Sequence, residues 1–249
     1  MAAVAKPWFA DGTLQFDRAQ PFFYRTGDFP WVAEVESQWE VIRDELMASL
    51  SEDSAALIPY VNREMTSRPG NWKTLGLMFW SVPSAENRRR FPRTWDIVSR
   101  VPHVTAASLN MLEGDTTIKP HVGNTDAIIR CHMGLVVPAP APKCGFRVGD
   151  ETRSWEEGKF LMFCDAHEHT AWNNTDSRRY ILVIDVMRQE FVPLAASVSS
   201  RVLASIYHEA AYQRSAWLRR WLGGPRRQAF TLSLARVWYR VVLALKGKT

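Results

Sequence analysis

Phe160-Leu161-Met162-Phe163 and Tyr180-Ile181-Leu182-Val183-Ile184-Asp185-Val186 are two short apolar runs with the turn-forming pair Asn173-Asn174 between them. Branched and aromatic side chains in runs this short suit strands better than helices. Upstream, Ala106-Ala107-Ser108-Leu109-Asn110-Met111-Leu112 and Ile128 to Val137 have the same texture. Glu113-Gly114-Asp115, Pro138 to Pro142 and Gly149-Asp150 punctuate the series. Several short strands at this spacing predict an antiparallel sandwich or barrel over about residues 105–190.

Helices are expected on either side. Trp31, Val35, Trp39, Ile42 and Leu46 recur at three- and four-residue steps, which predicts one amphipathic helix starting near Pro30 and capped by Asp28. A second is expected from Pro92 to about Arg100, with Trp95 and Val98 facing inward. Residues 1–28 read as an extended, aromatic-rich lead-in. Beyond the barrel, Ser200 to Leu222 and Gln228 to Leu245 read as helices, broken by Gly223-Gly224-Pro225. The expected organisation is a domain over residues 1–195 and a basic, amphipathic helical extension over 196–249.

Composition sets the class. The 249 residues are 46% hydrophobic and 23% charged, an ordinary globular balance that argues against disorder. No run reaches the roughly 18 apolar residues of a spanning helix. Met1 to Trp8 lacks the apolar stretch of a signal peptide. Three cysteines without CxxC spacing are expected as free thiols of a cytoplasmic protein.

The net charge of +5 hides an asymmetry: residues 201–249 hold ten Lys/Arg against one acid, Glu209, and carry +9. Such a tail points to an anionic partner, and no nucleic-acid recognition motif accompanies it. Trp217, Leu218, Trp221 and Leu222 alternate with Arg214, Arg219 and Arg220. Phe230, Leu234, Val237, Trp238, Val241 and Leu245 then form a stripe against Arg236, Arg240 and Lys246. This is the pattern of an interfacial membrane helix, so peripheral contact with anionic lipid on the inner membrane face is one expectation. Packing on the barrel or on a second copy is the other, which the general behaviour of such helices favours slightly.

Four of the six histidines fall between residues 121 and 169. Imidazoles on neighbouring barrel strands can converge on one divalent metal, whether iron, copper, zinc or nickel. Arg179 opens a strand ten residues beyond His169. An arginine turned into a barrel is costly unless it meets an anion. A dicarboxylate would satisfy it bidentately; a structural salt bridge is the alternative.

Ile118-Lys119-Pro120-His121-Val122-Gly123, Arg130-Cys131-His132-Met133-Gly134-Leu135 and Gly145-Phe146-Arg147-Val148-Gly149 follow one another in order. Trp155-Glu156-Glu157-Gly158-Lys159, the run Phe163 to Trp172 and the run Arg179 to Asp185 complete the set. Over roughly residues 55–190 these strings resemble the aspartyl/asparaginyl β-hydroxylase family. Asn71-Trp72-Lys73 and Asn87 to Thr94 resemble the helical segment that precedes the family's barrel.

The resemblance implies a mainly β fold with flanking helices around a double-stranded β-helix core of jelly-roll or cupin type. It implies a dioxygenase using Fe(II), 2-oxoglutarate and O2. It makes His121 and His169 the metal ligands, since Glu168-His169-Thr170-Ala171-Trp172 matches the family's Glu-His-x-x-Trp and sets His167 aside. Gly123 stands where the wider superfamily places an acid; the β-hydroxylase branch itself resembles this sequence in having glycine there, and Asp165 and Asp126 are left as candidate outer groups. Arg179 would clamp the distal carboxylate of 2-oxoglutarate. Arg130 and His132 would lie near its chelating end, with Asn110 where the family often has serine.

The implied substrate is the β-carbon of an Asp/Asn-type residue or amino acid, although Ile128 stands near Arg130 where a basic residue would favour acidic peptides. A membrane-lipid acyl chain and a free small metabolite are the alternatives. A non-catalytic barrel serving as a binding module is the reading from another class. A zinc hydrolase is disfavoured because no HExxH-type base is present.

Overall fold

The computed structural model describes residues 6–53, 55–221 and 224–246. The twelve strands in this part of the chain are β1 (Phe23–Tyr24), β2 (Ile58–Pro59), β3 (Trp72–Phe79), β4 (Val82–Pro83), β5 (Val104–Leu112), β6 (Thr116–His121), β7 (Ile128–Val136), β8 (Cys144–Val148), β9 (Glu151–Arg153), β10 (Phe160–Phe163), β11 (His169–Asn173) and β12 (Arg179–Met187). They form two antiparallel sheets. The larger runs β1-β10-β7-β12-β5-β3-β2, with β4 on β3, and the smaller runs β6-β11-β8-β9. At the centre of each sheet the neighbours are distant in sequence (β7 beside β12, β12 beside β5, β6 beside β11, β11 beside β8), which is the double-stranded β-helix arrangement.

Period-two alternation decides what each strand offers to either side. Along β12, Tyr180, Leu182, Ile184 and Val186 join the core outside the barrel. Arg179, Ile181, Val183 and Asp185 line the cavity within. In β7, Ile129, Cys131, Met133 and Leu135 face outward into that same core, while Arg130 and His132 face the cavity.

Helices cover the larger sheet's outer face. α1 (Trp31–Glu36) and α2 (Trp39–Glu52) bury Val35, Ile42 and Leu46 against it, and α3 (Ala85–Arg90) leads into α4 (Pro92–Ser99). A second core joins the barrel to α5 (Ala195–Arg214) and α7 (Pro225–Lys246). There Val198, Val202 and Leu203 of α5 and Leu243 of α7 pack with Phe9, Ile128 and Met187. The short α6 (Ala216–Trp221) lies between them in the chain. Cys131, Cys144 and Cys164 are buried free thiols. Among the described residues no helix is long and apolar enough to cross a membrane.

Several local expectations are corrected. The stripe from Trp31 to Leu46 is two helices, because the chain breaks at Ser37–Gln38. Asp28 does not cap it; it closes a separate 3-10 turn, Thr26–Asp28. Within α4 the fully buried positions are Thr94, Ile97 and Val98, and Trp95 is only half-buried. Asn71-Trp72-Lys73 does not begin a helix, since Trp72 and Lys73 open β3, where Leu75 and Leu77 alternate into the outer core. The first C-terminal helix starts earlier than Ser200 and breaks at Ser215. Met1–Ala5, Leu222 and Gly223 lie outside the described residues.

Candidate active site

His121 closes β6 and His169 opens β11, and the two are direct cross-strand partners. His121 is thus the last residue of its strand. Two steps along β11, from His169 to Ala171, match three along β6, from His121 to Ile118. The resulting bulge accommodates Pro120, which has no N–H to give to the ladder, and re-aims His121. The two imidazole centroids lie 4.2 Å apart.

Each ring is held from behind. Nδ1 of His121 lies 2.8 Å from the Lys119 carbonyl oxygen, and Nδ1 of His169 lies 2.9 Å from that of His167. With Nδ1–H donating to a carbonyl, Nε2 is left as the lone-pair donor. Burial holds both rings below the usual histidine range, and His121 depresses His169 further. Neutral, oriented imidazoles are the form in which histidine binds a divalent metal.

A carboxylate stands beside them. Asp165 Oδ1 is 3.6 Å from His169 Nε2 and accepts a 2.6 Å hydrogen bond from Arg130 Nη1. Gly123 makes this possible: a Cβ there would fall 1.7 Å from Asp165 Oδ2. Among the described residues no group of three or more His, Cys, Asp or Glu is placed to hold a metal ion. The site therefore offers two imidazoles, with the Asp165 carboxylate near the Nε2 side of His169.

The two arginines differ. Arg130 is forked onto Asp185, with Nε and Nη2 at 2.7 and 2.8 Å from its two oxygens, while Nη1 holds Asp165. One guanidinium thus faces two buried carboxylates. Arg179 is almost completely buried, and its guanidinium lies 4.3 Å from the centre of the Trp155 ring. Among the described residues its Nε and Nη1 have no hydrogen-bond partner, and burial pushes its pKa down to about 10. His132 lines the same cavity with Nδ1 likewise unpartnered. Unsatisfied buried donors on a cation are expensive and mark a place for an anion.

Asn110 also faces the cavity, but its amide is engaged: Oδ1 accepts from Trp72 Nε1 at 3.2 Å and Nδ2 donates to Ser108 Oγ at 2.8 Å. His167 is elsewhere. Its Nε2 meets the Gln20 carbonyl at 2.7 Å and its ring packs between Phe16 and Phe22. Asp126 is also outside the site, accepting from the Trp8 backbone at 2.7 Å.

The sequence reading missed two partners, Asp185 beneath Arg130 and Trp155 beside Arg179. Asp185 was within reach of alternation, since it shares a face with Arg179 three pleats along β12. Trp155 lies in a loop and carries no periodic signal.

The rest of the cavity, of about 220 Å³, is walled mainly by apolar groups, Trp72, Met78, Phe79, Trp80, Ile118 and Val183 among them, with the hydroxyl-bearing Tyr60, Thr74 and Ser108. Tyr60 stacks on Trp72 with centroids 3.8 Å apart.

The profile of the aspartyl/asparaginyl beta-hydroxylase family matches residues 36–189. The ornithine lipid ester-linked acyl 2-hydroxylase of Rhizobium tropici is 36% identical over 187 residues, covering 73% of this chain and 66% of that protein. The aspartyl/asparaginyl beta-hydroxylase of Homo sapiens is 30% identical over 183 residues, covering 71% of this chain and 24% of that protein. The chain thus spans under two thirds of either relative. A prolyl-4-hydroxylase of Pseudomonas putida superposes with a TM-score of 0.46 at 10% identity, covering 64% of this chain and 100% of that one.

Proposed function

The chain belongs to the aspartyl/asparaginyl β-hydroxylase family, and on that premise we propose that it is an Fe(II)- and 2-oxoglutarate-dependent dioxygenase that hydroxylates the acyl chain of a lipid. One observation carries the cofactor assignment. Two imidazoles with free Nε2 atoms and a buried arginine with orphaned donors line a single cavity. The residues fit the group: His121 and His169 would hold the metal, and Arg179 would take the distal carboxylate of 2-oxoglutarate. Iron with its cosubstrate supplies oxygen activation and attack on an unactivated C–H bond.

The protein's own part is positional. The Lys119 and His167 carbonyls fix both histidine tautomers. Asp165 supplies a hydrogen-bond acceptor beside His169 in place of an acid at position 123. Trp155 shields Arg179 from water, which strengthens its hold on an anion. Because Arg130 is already matched by Asp165 and Asp185, it is not a spare cation for an acidic substrate.

The substrate reading rests on the walls. Among the described residues lining the cavity, the Arg and Lys are Arg130, which is neutralised, and Arg179, assigned to the cosubstrate. An Asp side chain would find no cation left to receive it, whereas an alkyl chain would meet Trp72, Met78, Phe79 and Trp80. The Rhizobium tropici relative, named for an ester-linked acyl chain, supports this choice over the Asp/Asn β-carbon.

The test is succinate formation by iron-loaded protein given acyl lipids, acidic peptides or free amino acids. Stimulation by acyl lipids alone is expected. Stimulation by acidic peptides alone would replace the substrate. No 2-oxoglutarate turnover with any of them, together with no Fe(II) binding, would make the barrel a binding module.

A further inference from the structure

Helix α7 is anchored by one side and bare on the other. Leu243 enters the core, Tyr239 stacks on Tyr207 of α5 with centroids 5.6 Å apart, and Arg240 donates to Ser197 Oγ at 2.7 Å. Asp11 ties Arg236 of α7 and Arg201 of α5 to the N-terminal segment. The opposite side carries Phe230, Leu234, Val237, Trp238, Val241 and Leu245, each 49–66% exposed. Their three- and four-residue steps make one continuous stripe. On α6, Trp217 and Trp221 are exposed and stacked parallel, 5.7 Å apart. Arg214, Arg220, Arg226 and Arg227 are exposed around this surface. Contiguous apolar area of this kind on a fixed helix marks an interaction site.

The stripe continues inward. Trp238, Tyr239 and Val242 form one wall of a groove of about 370 Å³, whose other wall is β3 and β4. Three residues of that second wall, Gly76, Met78 and Phe79, also line the cavity that holds His121 and His169. Among the described residues, a Cβ added at Gly76 would meet nothing within 4 Å, so β3 leaves room beside it at that position. The exposed stripe thus borders the groove at Trp238, and the groove borders the catalytic cavity at Gly76, Met78 and Phe79.

We propose that the outer face of α6 and α7 docks on an anionic lipid bilayer, so that the groove between α7 and the β3–β4 hairpin receives an acyl chain on its way to the catalytic cavity. Delivery of the chain rests on the substrate reading above; docking does not. Charge chooses the occupant. A second copy would bring a like-charged tail, +9 over residues 201–249, against the first, whereas an anionic leaflet attracts it. Tryptophan and arginine side by side on an amphipathic helix suit the headgroup boundary, where an aromatic ring is half in hydrocarbon and a guanidinium meets phosphate.

The experiment is sedimentation of the full chain with phosphatidylcholine vesicles and with phosphatidylcholine–phosphatidylglycerol vesicles, for wild type and the exposed-face variant F230S/L234S/V237S. These three side chains are surface-exposed and line neither groove nor cavity. Wild type is expected to bind the anionic vesicles, to release them at high salt, and to bind about tenfold more tightly than the variant. Equal binding by the two proteins, or no binding by wild type, overturns the proposal. So does a variant that converts a dimer to a monomer without changing vesicle binding, which assigns the face to self-association. Turnover of a short, water-soluble acyl analogue separates the two readings. If wild type binds vesicles but the analogue yields no succinate, the substrate reading fails and docking stands. If the analogue is turned over but vesicles are not bound, docking fails alone.

Discussion

The Asp165 carboxylate occupies the space that a side chain at position 123 would need: a Cβ on Gly123 would lie 1.7 Å from Asp165 Oδ2 and 2.8 Å from the Asp165 backbone oxygen. Arg130 pins that carboxylate, so it cannot simply swing aside. Gly123→Ala is expected to cost about 2 kcal/mol through overpacking. Part of that cost should vanish in an Asp165→Ala background, because the two positions compete for one volume. Urea denaturation of the four proteins checks this; equal costs in both backgrounds would remove the steric account.

Each metal-facing histidine is expected to be indispensable. His121→Ala and His169→Ala should each lose stoichiometric Fe(II), read by metal analysis after gel filtration, with far-ultraviolet circular dichroism unchanged. Full iron occupancy in either variant would show that the ligand lies elsewhere.

Arg179→Met separates binding from folding. The substitution removes a buried cation with orphaned nitrogens and leaves a side chain that packs on Trp155. The KM for 2-oxoglutarate should rise about a hundredfold, the scale of one or two charge-assisted hydrogen bonds. The melting temperature of the metal-free protein should stay level or rise, because an unpaired buried charge is destabilising. An unchanged KM would release Arg179 from its assigned role.

Asp185→Asn should do the reverse. It strips Arg130 of its forked partner inside the barrel, leaving only Asp165. Breaking a buried pair from one side costs about 3 kcal/mol. A loss below about 1 kcal/mol in urea denaturation would mean that Asp165 alone suffices.

His132 supplies a pH signature. Burial, with Arg130 and Arg179 nearby, holds its pKa well below the usual 6.5. Between that depressed value and 6.5 the unfolded chain binds the proton and the folded one does not, so acidification favours unfolding. Stability of the wild type should therefore fall relative to His132→Gln below pH 6.5, by at most about 1.4 kcal/mol per pH unit. Above pH 7 the difference between the two should be flat. Parallel profiles from pH 8 to 5 would assign the acid sensitivity to other groups.

Much of this architecture was legible before any coordinates. Short apolar runs from Ala106 to Val186 predict strands because burying one face of a sheet needs alternation and little else. The larger sheet's β5, β7, β10 and β12 follow those runs closely. Four strands of the smaller sheet were harder, since Pro120 in β6 and the polar residues of β8 and β9 dilute the pattern. Trp72-Lys73 looked helical by likeness and is a strand, because β5 offers it an open edge that no local signal announces.

The amino-acid sequence by itself determined the family, the antiparallel core, the candidate pair His121 and His169, and the basic amphipathic tail, all of which depend on residue type and spacing along the chain. Tertiary structure alone decided which charges cancel. Arg130 meets Asp185 on the neighbouring β12 and Asp165 just past the end of β10, its neighbour on the other side, whereas Arg179, with the same guanidinium, meets a tryptophan and keeps unsatisfied donors. That distinction is a matter of distance through a low-dielectric interior, and sequence separation does not encode it.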